Sequence, residues 1–260
     1  MPIVRRISLG LTLLLFLLIS GALLGLILYS PLPILAQSLA SPEIQFAILL
    51  SLITSIVSTL ACIVIAVPVA YALSRYSFPG KRIAALVLTL PLTLPPLVAG
   101  IALLLFFGTT PWGRALESAG FGVIFTPLGI IVAQIFVNLP YMVRIMRSSF
   151  DAINPRFEHV ARTLGCTETG AFLQVTLPMS RPALLAGTVI TWSKAMGEFG
   201  AVLMLAGATT MRTETLPIAL YLNISTGDVD LAVAAALILI LISLVALCTV
   251  EYLDRNIHVF

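Results

Sequence analysis

Several stretches of this chain are apolar for long enough to cross a lipid bilayer, which leaves little freedom in what it can fold into. A spanning helix needs about 20 mostly apolar residues to match a hydrocarbon core of about 30 Å. Six runs of that kind cover residues 7–29, 45–73, 83–107, 126–145, 182–205 and 231–250. In lipid every backbone N–H and C=O must be satisfied within the protein, so such runs are expected to be helices. Composition agrees, with 60% of the 260 residues hydrophobic and 10% charged, against roughly a quarter charged in a soluble domain. The expected fold class is all-α and integral to a membrane: six transmembrane helices in a single domain over residues 1–260. No internal repeat and no separate soluble domain is visible.

Arg5 and Arg6 before the first run could open a secretory signal. That run is longer than a signal's apolar core and no small-residue cleavage site follows, so a retained first span is expected. Orientation follows from where Lys and Arg fall. Arg75, Lys81 and Arg82 lie between the second and third spans. Arg144, Arg147, Arg156, Arg162 and Arg181 surround the segment 151–181, and Arg255 follows the sixth span. With alternating spans these all share one side, and the other side holds only Arg114 and Arg212. Both termini and segment 151–181 are therefore expected in the cytoplasm of a multi-pass protein of the cell membrane. On the opposite side, residues 31–44 read as a proline-bearing connector. Residues 108–125 suggest a short interfacial helix with Trp112 at the headgroups, and 207–230 carries Asp228 and Asp230 ahead of the last span.

Catalysis finds little support. Cys62, Cys166 and Cys248 are odd in number and form no C-x-x-C pair, so neither a disulfide framework nor a metal site is expected. The phosphate-binding pattern G-x-x-x-x-G-K-[ST] does not occur, since "FPGKR" at 78–82 lacks its first glycine and its Ser/Thr. His159 and His258 have no evident carboxylate or cysteine constellation, and "NIS" at Asn223 matches a glycosylation acceptor only formally. The basic residues form no aromatic-interleaved stripe, so nucleic acid is not an expected partner.

One polar stretch is out of place among the apolar runs: "EHVARTLGCTETGAFLQVTLPMSRPA", residues 158–183. Phe157, Val160, Ala161 and Leu164 are spaced i, i+3, i+4, i+7, one face of an amphipathic helix. Glu158 and Arg162 stand four apart and can pair on its surface. Gly165 suits the left-handed residue that ends many helices. Thr167 can cap a second short helix, with Phe172, Val175 and Thr176 on one side. Pro178 is expected to stop that helix, and Pro182 to start the fifth span where its missing N–H costs little. Two short helices at an angle, tethered closely to spans at both ends, can transmit a push.

"EHVARTLG" followed by "VTLP" resembles the EAA loop of ABC-transporter permeases, roughly E-A-A-x-x-x-G, a spacer of about nine residues, then hydrophobic-x-Leu-Pro. Glu158, Ala161, Gly165, Leu177 and Pro178 occupy the pattern, while His159 and Val160 replace its two alanines. The resemblance extends over nearly the whole chain, including the count of six spans. It implies the type I importer permease fold, with residues 151–181 as the coupling loop and Glu158, Ala161, Arg162, Gly165, Leu177 and Pro178 meeting an ATPase. It further implies a homodimer of this chain, two ATPase subunits on the cytoplasmic side and an extracytoplasmic oxyanion-binding protein. ATP and magnesium would be bound by the ATPase and no cofactor by this chain. "SRYSFPGKR", "LPPLVAGIALL" and "GEFGA" look like the molybdate, tungstate and sulfate branch. The resemblance thus implies alternating-access import of molybdate or tungstate, with sulfate as the alternative. The plainer reading of the insert is a solvated connector lying on the membrane surface.

Within the fifth span, Lys194 and Glu198 carry charges that cost about 2.5–3.5 kcal/mol each near a helix centre, so they should face protein or water. Four apart on one helix, they can partly neutralise each other. With Phe199 and Gly200 of "GEFGA" they are candidates for the pathway wall or gate, the alternative being a buried ion pair that fixes packing. Gln134 and Asn138 share a face of the fourth span, with Pro140 just beyond, and are better explained by interhelical hydrogen bonds than as a substrate site. Pro91, Pro95 and Pro96 should bend or delay the third span. An ion-coupled secondary transporter using Lys194 and Glu198, and a membrane enzyme, are the rival classes. The first should show an inverted repeat and the second a catalytic constellation, and neither is visible.

Overall fold

A computed structural model describes residues 2–29 and 32–257. The side chain of Arg255, and all of His258, lie outside the described residues. Helices dominate: α1 (Pro2–Tyr29), α2 (Leu32–Leu39), α3 (Pro42–Arg75), α4 (Lys81–Thr89), α5 (Pro96–Thr109), α6 (Pro111–Ser118) and α7 (Pro127–Ala152) fill the first part. They are followed by α8 (Arg156–Thr163), α9 (Glu168–Ala171), α10 (Leu177–Met179), α11 (Arg181–Met196), α12 (Gly200–Ala206), α13 (Leu216–Thr226) and α14 (Val229–Ile257). Three starts share one local cause, a hydroxyl cap followed by proline at the first helical position. Ser41 accepts from the Ile44 N–H, Thr110 from Gly113 and Thr126 from Gly129, each just ahead of Pro42, Pro111 or Pro127.

Among the described residues α1, α3, α7 and α14 are each long and apolar enough to span a bilayer alone, and two bent pairs bring the number to six. All four of the straight helices outrun the apolar runs that announce them. α7 continues past residue 145 to Ala152, carrying Arg144 and Arg147 on its polar end. Charges end the apolar run there, not the helix. α6 forms the expected short helix, with Trp112 exposed.

The third and fifth spans are not single helices: the bend in the third was expected from its prolines, whereas the fifth was expected to be continuous. Residues 81–92 and 96–109 meet at 114°. A 3-10 turn, Leu90–Leu92, holds Pro91, and Pro95 adopts extended backbone ahead of Pro96, because a residue before proline is pushed out of the helical region. The expected bend is real and falls at those prolines. The fifth span breaks between Met196 and Gly200, and its halves meet at 57°. Packing explains where it resumes: a Cβ on Gly200 would lie 2.8 Å from Pro96 Cβ, and one on Gly100 would lie 2.7 Å from Met204 Cβ. α12 and α5 approach backbone to backbone, which only small residues allow.

α3 and α7 form the spine. Thr54 lies beside Gln134 toward one end and Ser74 beside Asp151 at the other, so the two helices run parallel. Ala66, Ala70 and Leu73 of α3 pack on Met142, Met146 and Phe150 of α7. A second cluster joins α5, α7, α12 and α13, and a third joins α3, α11, α13 and α14. α1 is exposed along almost its whole length.

Candidate functional site

The polar insert folds as α8, α9 and a wider turn running into α10. Arg156 opens α8 behind Pro155, and Gly165 closes it at φ +98°. There the Gly165 N–H bonds the Arg162 carbonyl and the Cys166 N–H the Ala161 carbonyl at 3.0 Å, the paired bonds of a Schellman C-cap. Thr167 Oγ1 accepts from the Gly170 N–H at 3.0 Å and starts α9. Both expectations hold. Pro178 does not stop the second helix: α10 carries through it, and the chain turns only at Ser180. The preceding turn, Phe172–Thr176, widens into π-helix, with the Leu177 N–H reaching back to the Phe172 carbonyl. Widening of this sort accommodates a residue that cannot continue the regular ladder.

α8 divides its side chains in a way the heptad spacing did not reveal. Phe157, Val160 and Leu164 are 52%, 56% and 81% exposed, whereas Ala161 turns inward with Glu158. The uncovered apolar edge points away from the chain's own body. Arg162 is exposed, and Leu177 and Pro178 are half-buried.

Glu158 is the buried centre of the insert. Instead of pairing with Arg162, its Oε1 accepts from Arg75 Nε at 2.8 Å and from Thr176 Oγ1 at 2.7 Å, and its Oε2 accepts from Tyr71 Oη at 2.9 Å. Arg75 also donates to the Ile153 carbonyl at 3.0 Å and to Ser74 Oγ at 3.1 Å, while Ser74 donates to Asp151. One carboxylate therefore ties α8 to the end of α3 and to the π turn. Burial alone would raise its pKa, but hydrogen bonds from Thr176, Arg75 and Tyr71, with the charge of Arg75, hold it below the ordinary range. Nearby, Tyr76 Oη donates to Glu168 at 2.5 Å, and that bond raises the phenol's pKa. A cleft of about 330 Å³ lies between these groups and His159 and Arg162.

Sequence reasoning missed Arg75, Tyr71 and Thr176. A carboxylate on an otherwise surface-like helix was the available signal, but the arginine that answers it is far away in sequence.

In the fifth span Lys194 and Glu198 do not share one unbroken helix, because α11 ends at Met196. Lys194 is exposed, with Nζ 4.1 Å from the centre of the Tyr141 ring on α7. Glu198 is buried and accepts from the Ala201 N–H at 3.0 Å, capping α12. Phe199 packs its ring on Tyr221 at 5.5 Å, and Gly200 lies against Pro96. Gln134 makes the expected interhelical bond, Nε2 to the Ala195 carbonyl at 2.9 Å. Asn138 does not: it is 1% exposed and both of its side-chain polar atoms lack a protein partner. Among the described residues no group of three His, Cys, Asp or Glu is placed to hold a metal.

Comparison with known proteins gives this arrangement a context. The fold superimposes on a chain of a bacterial alginate ABC transporter, solved with an alginate pentasaccharide-bound periplasmic protein, at a TM-score of 0.77 and 18% identity over 97% of this chain and 94% of that one. In sequence the chain is 39% identical over 208 residues to the molybdenum transport system permease protein ModB of Mycobacterium bovis, covering 79% of this chain and 78% of that protein. It is 34% identical over 256 residues to the sulfate transport system permease protein CysW of Synechocystis, covering 93% of each. Residues 62–259 match the family described as binding-protein-dependent transport system inner membrane component. The chain is thus a multi-pass transport component of the type I ABC importer permease class rather than an enzyme, and it belongs to the family of binding-protein-dependent transport system inner membrane components.

Proposed function

We propose that this chain imports molybdate or tungstate as a homodimer, with the substrate path between the two copies. Two ATPase subunits sit on the cytoplasmic side, where ATP and magnesium bind, and an extracytoplasmic protein delivers the oxyanion. Residues 151–181 form the coupling element. The observation that carries this reading is the split of α8: Glu158 clamps the helix to α3 and to the π turn, leaving Phe157, Val160 and Leu164 uncovered for a partner. A helix held rigidly on one side and apolar on the other can convert movement of a docked subunit into movement of the spans. ATP binding would favour one of two arrangements of those spans, and hydrolysis would return them, so the nucleotide biases an equilibrium.

Lys194 is the residue of the fifth span best suited to an anion's path. It is exposed in the single chain, with its ammonium over the ring of Tyr141. Glu198 serves structure, fixing the start of α12. Phe199 and Gly200 hold the break between α11 and α12, where the two half-helices can re-angle.

Sulfate is the second reading, favoured by the relative whose likeness runs over nearly all of both chains. Uptake of labelled molybdate into vesicles holding this chain, its ATPase and its binding protein separates the two. Block by tungstate and not by sulfate supports the first reading, and strong competition by sulfate moves the assignment to the second.

A further inference from the structure

The end of the bundle that carries the coupling element bears a second feature beside it. Within the third span α4 does not run straight on into α5 but is turned from it by 114°. Ile83, Leu86, Val87 and Leu90 stand at i, i+3, i+4 and i+7 and are 68%, 70%, 62% and 53% exposed, a continuous apolar stripe left uncovered by the described residues. Beside it a cleft of about 610 Å³ is lined by Lys81, Arg82 and Thr89 from the α4 segment and Arg147 from α7.

Charge in that cleft is poorly balanced. Lys81 Nζ donates to the Tyr76 carbonyl at 2.8 Å, which holds the ammonium in place without neutralising it. Arg147 meets Asp151 at 3.5 Å, and that carboxylate is shared with Ser74. Arg82 is exposed and makes no side-chain hydrogen bond or ion pair among the described residues. Three cations face one carboxylate next to a greasy stripe, the combination of charge and apolar surface that a lipid's headgroup and acyl chains present. Anionic lipid satisfies both halves at once: its phosphate answers the cations and its chains cover the stripe.

We propose that the cleft formed by Lys81, Arg82 and Arg147 is a binding site for an anionic phospholipid, whose acyl chains lie along Ile83, Leu86, Val87 and Leu90. Such a lipid fills the angle between α4 and α7 and steadies the bend at Pro91–Pro96. Neither the coupling element nor the identity of the oxyanion enters this inference, so it stands or falls separately from them.

The test uses the full chain, released in mild detergent from membranes of equal phosphatidylglycerol and phosphatidylcholine content and examined by native mass spectrometry. Wild type is expected to retain phosphatidylglycerol in preference. Arg82→Gln and Arg147→Gln should each cut the preference roughly fivefold, and the pair more than tenfold. Arg82→Lys should keep it, and so should Arg114→Gln on the distant α6, which controls for folding and for loss of a charge. Equal retention of the two lipids by wild type, or an undiminished preference in the double variant, overturns the proposal. Displacement of the lipid by inorganic phosphate at constant ionic strength overturns it in favour of a soluble anion. A disulfide forming readily between two copies carrying Leu86→Cys overturns it in favour of a protein contact on the stripe.

Discussion

Replacing Glu158 with alanine removes the one acceptor on which Arg75, Thr176 and Tyr71 converge at 2.8, 2.7 and 2.9 Å. Both members of the ion pair are 10% exposed at the side chain, so solvent screens them little. Deleting one partner of a buried pair costs about 3–5 kcal/mol, mostly because the other charge is left buried and unanswered. That energy is local. It holds α8 on α3 and should leave the packing of the spans intact. Hydrogen exchange of the α8 amides reads it directly, since each 1.36 kcal/mol is a factor of ten. Protection of residues 157–164 should fall by roughly two to three and a half powers of ten, up to the limit of α8's own stability. A cycle with Arg75→Ala should show the two changes to be far from additive, since either one already breaks the pair. Unchanged α8 protection in Glu158→Ala, or two fully additive losses, would refute the clamp and place Glu158 outward after all.

Other consequences follow from the same contacts. Val160→Asp and Leu164→Glu alter exposed positions, so stability should move by no more than about 0.5 kcal/mol, yet copurification of the ATPase should be lost. Gly200→Val must push Pro96 and Leu97 away from a Cβ that already lies within 3.0 Å of both, and thermal unfolding should show a loss of about 1–3 kcal/mol. Lys194→Met should leave assembly intact while slowing oxyanion uptake, and Lys194→Arg, which keeps a cation over Tyr141, should restore it. Because the folded state lowers the pKa of Glu158 from 4.5, its contribution to stability is fully present above that value and is lost as pH falls through the lowered one. Cleavage of the insert by pepsin should therefore appear only below the ordinary carboxylate range.

Much of the fold was legible because lipid permits so few alternatives. Each of the six apolar runs falls on a long helix or on a bent helix pair, and proline found the bend in the third. The break in the fifth was not legible, because its cause is the closeness of Gly200 to Pro96 and of Gly100 to Met204. A pair of glycines in an apolar run says nothing about which helix they will touch. Lys194 and Glu198 illustrate the consequence: an i, i+4 argument holds only if the helix is unbroken between them. The insert was read well locally, since Gly165 and Thr167 act through their immediate neighbours. Its orientation was not. Periodicity grouped Ala161 with Phe157, Val160 and Leu164, but burial of Glu158 rotated the helix so that Ala161 went in and the three larger residues stayed out. A charged residue seldom decides which side of a helix is buried. This one does because Arg75 waits at the end of α3.

The most direct test of the coupling role is to place a photoreactive residue at position 160 in the assembled transporter and identify what it captures. The exposed edge of α8 should yield a cross-link to the ATPase subunit, altered in amount when ATP is bound, while the same probe at position 161, which is 8% exposed, should yield none. Capture at position 160 of lipid or of a second copy of this chain, with the ATPase never recovered, would contradict the assignment of this insert as the element that receives the force of ATP hydrolysis.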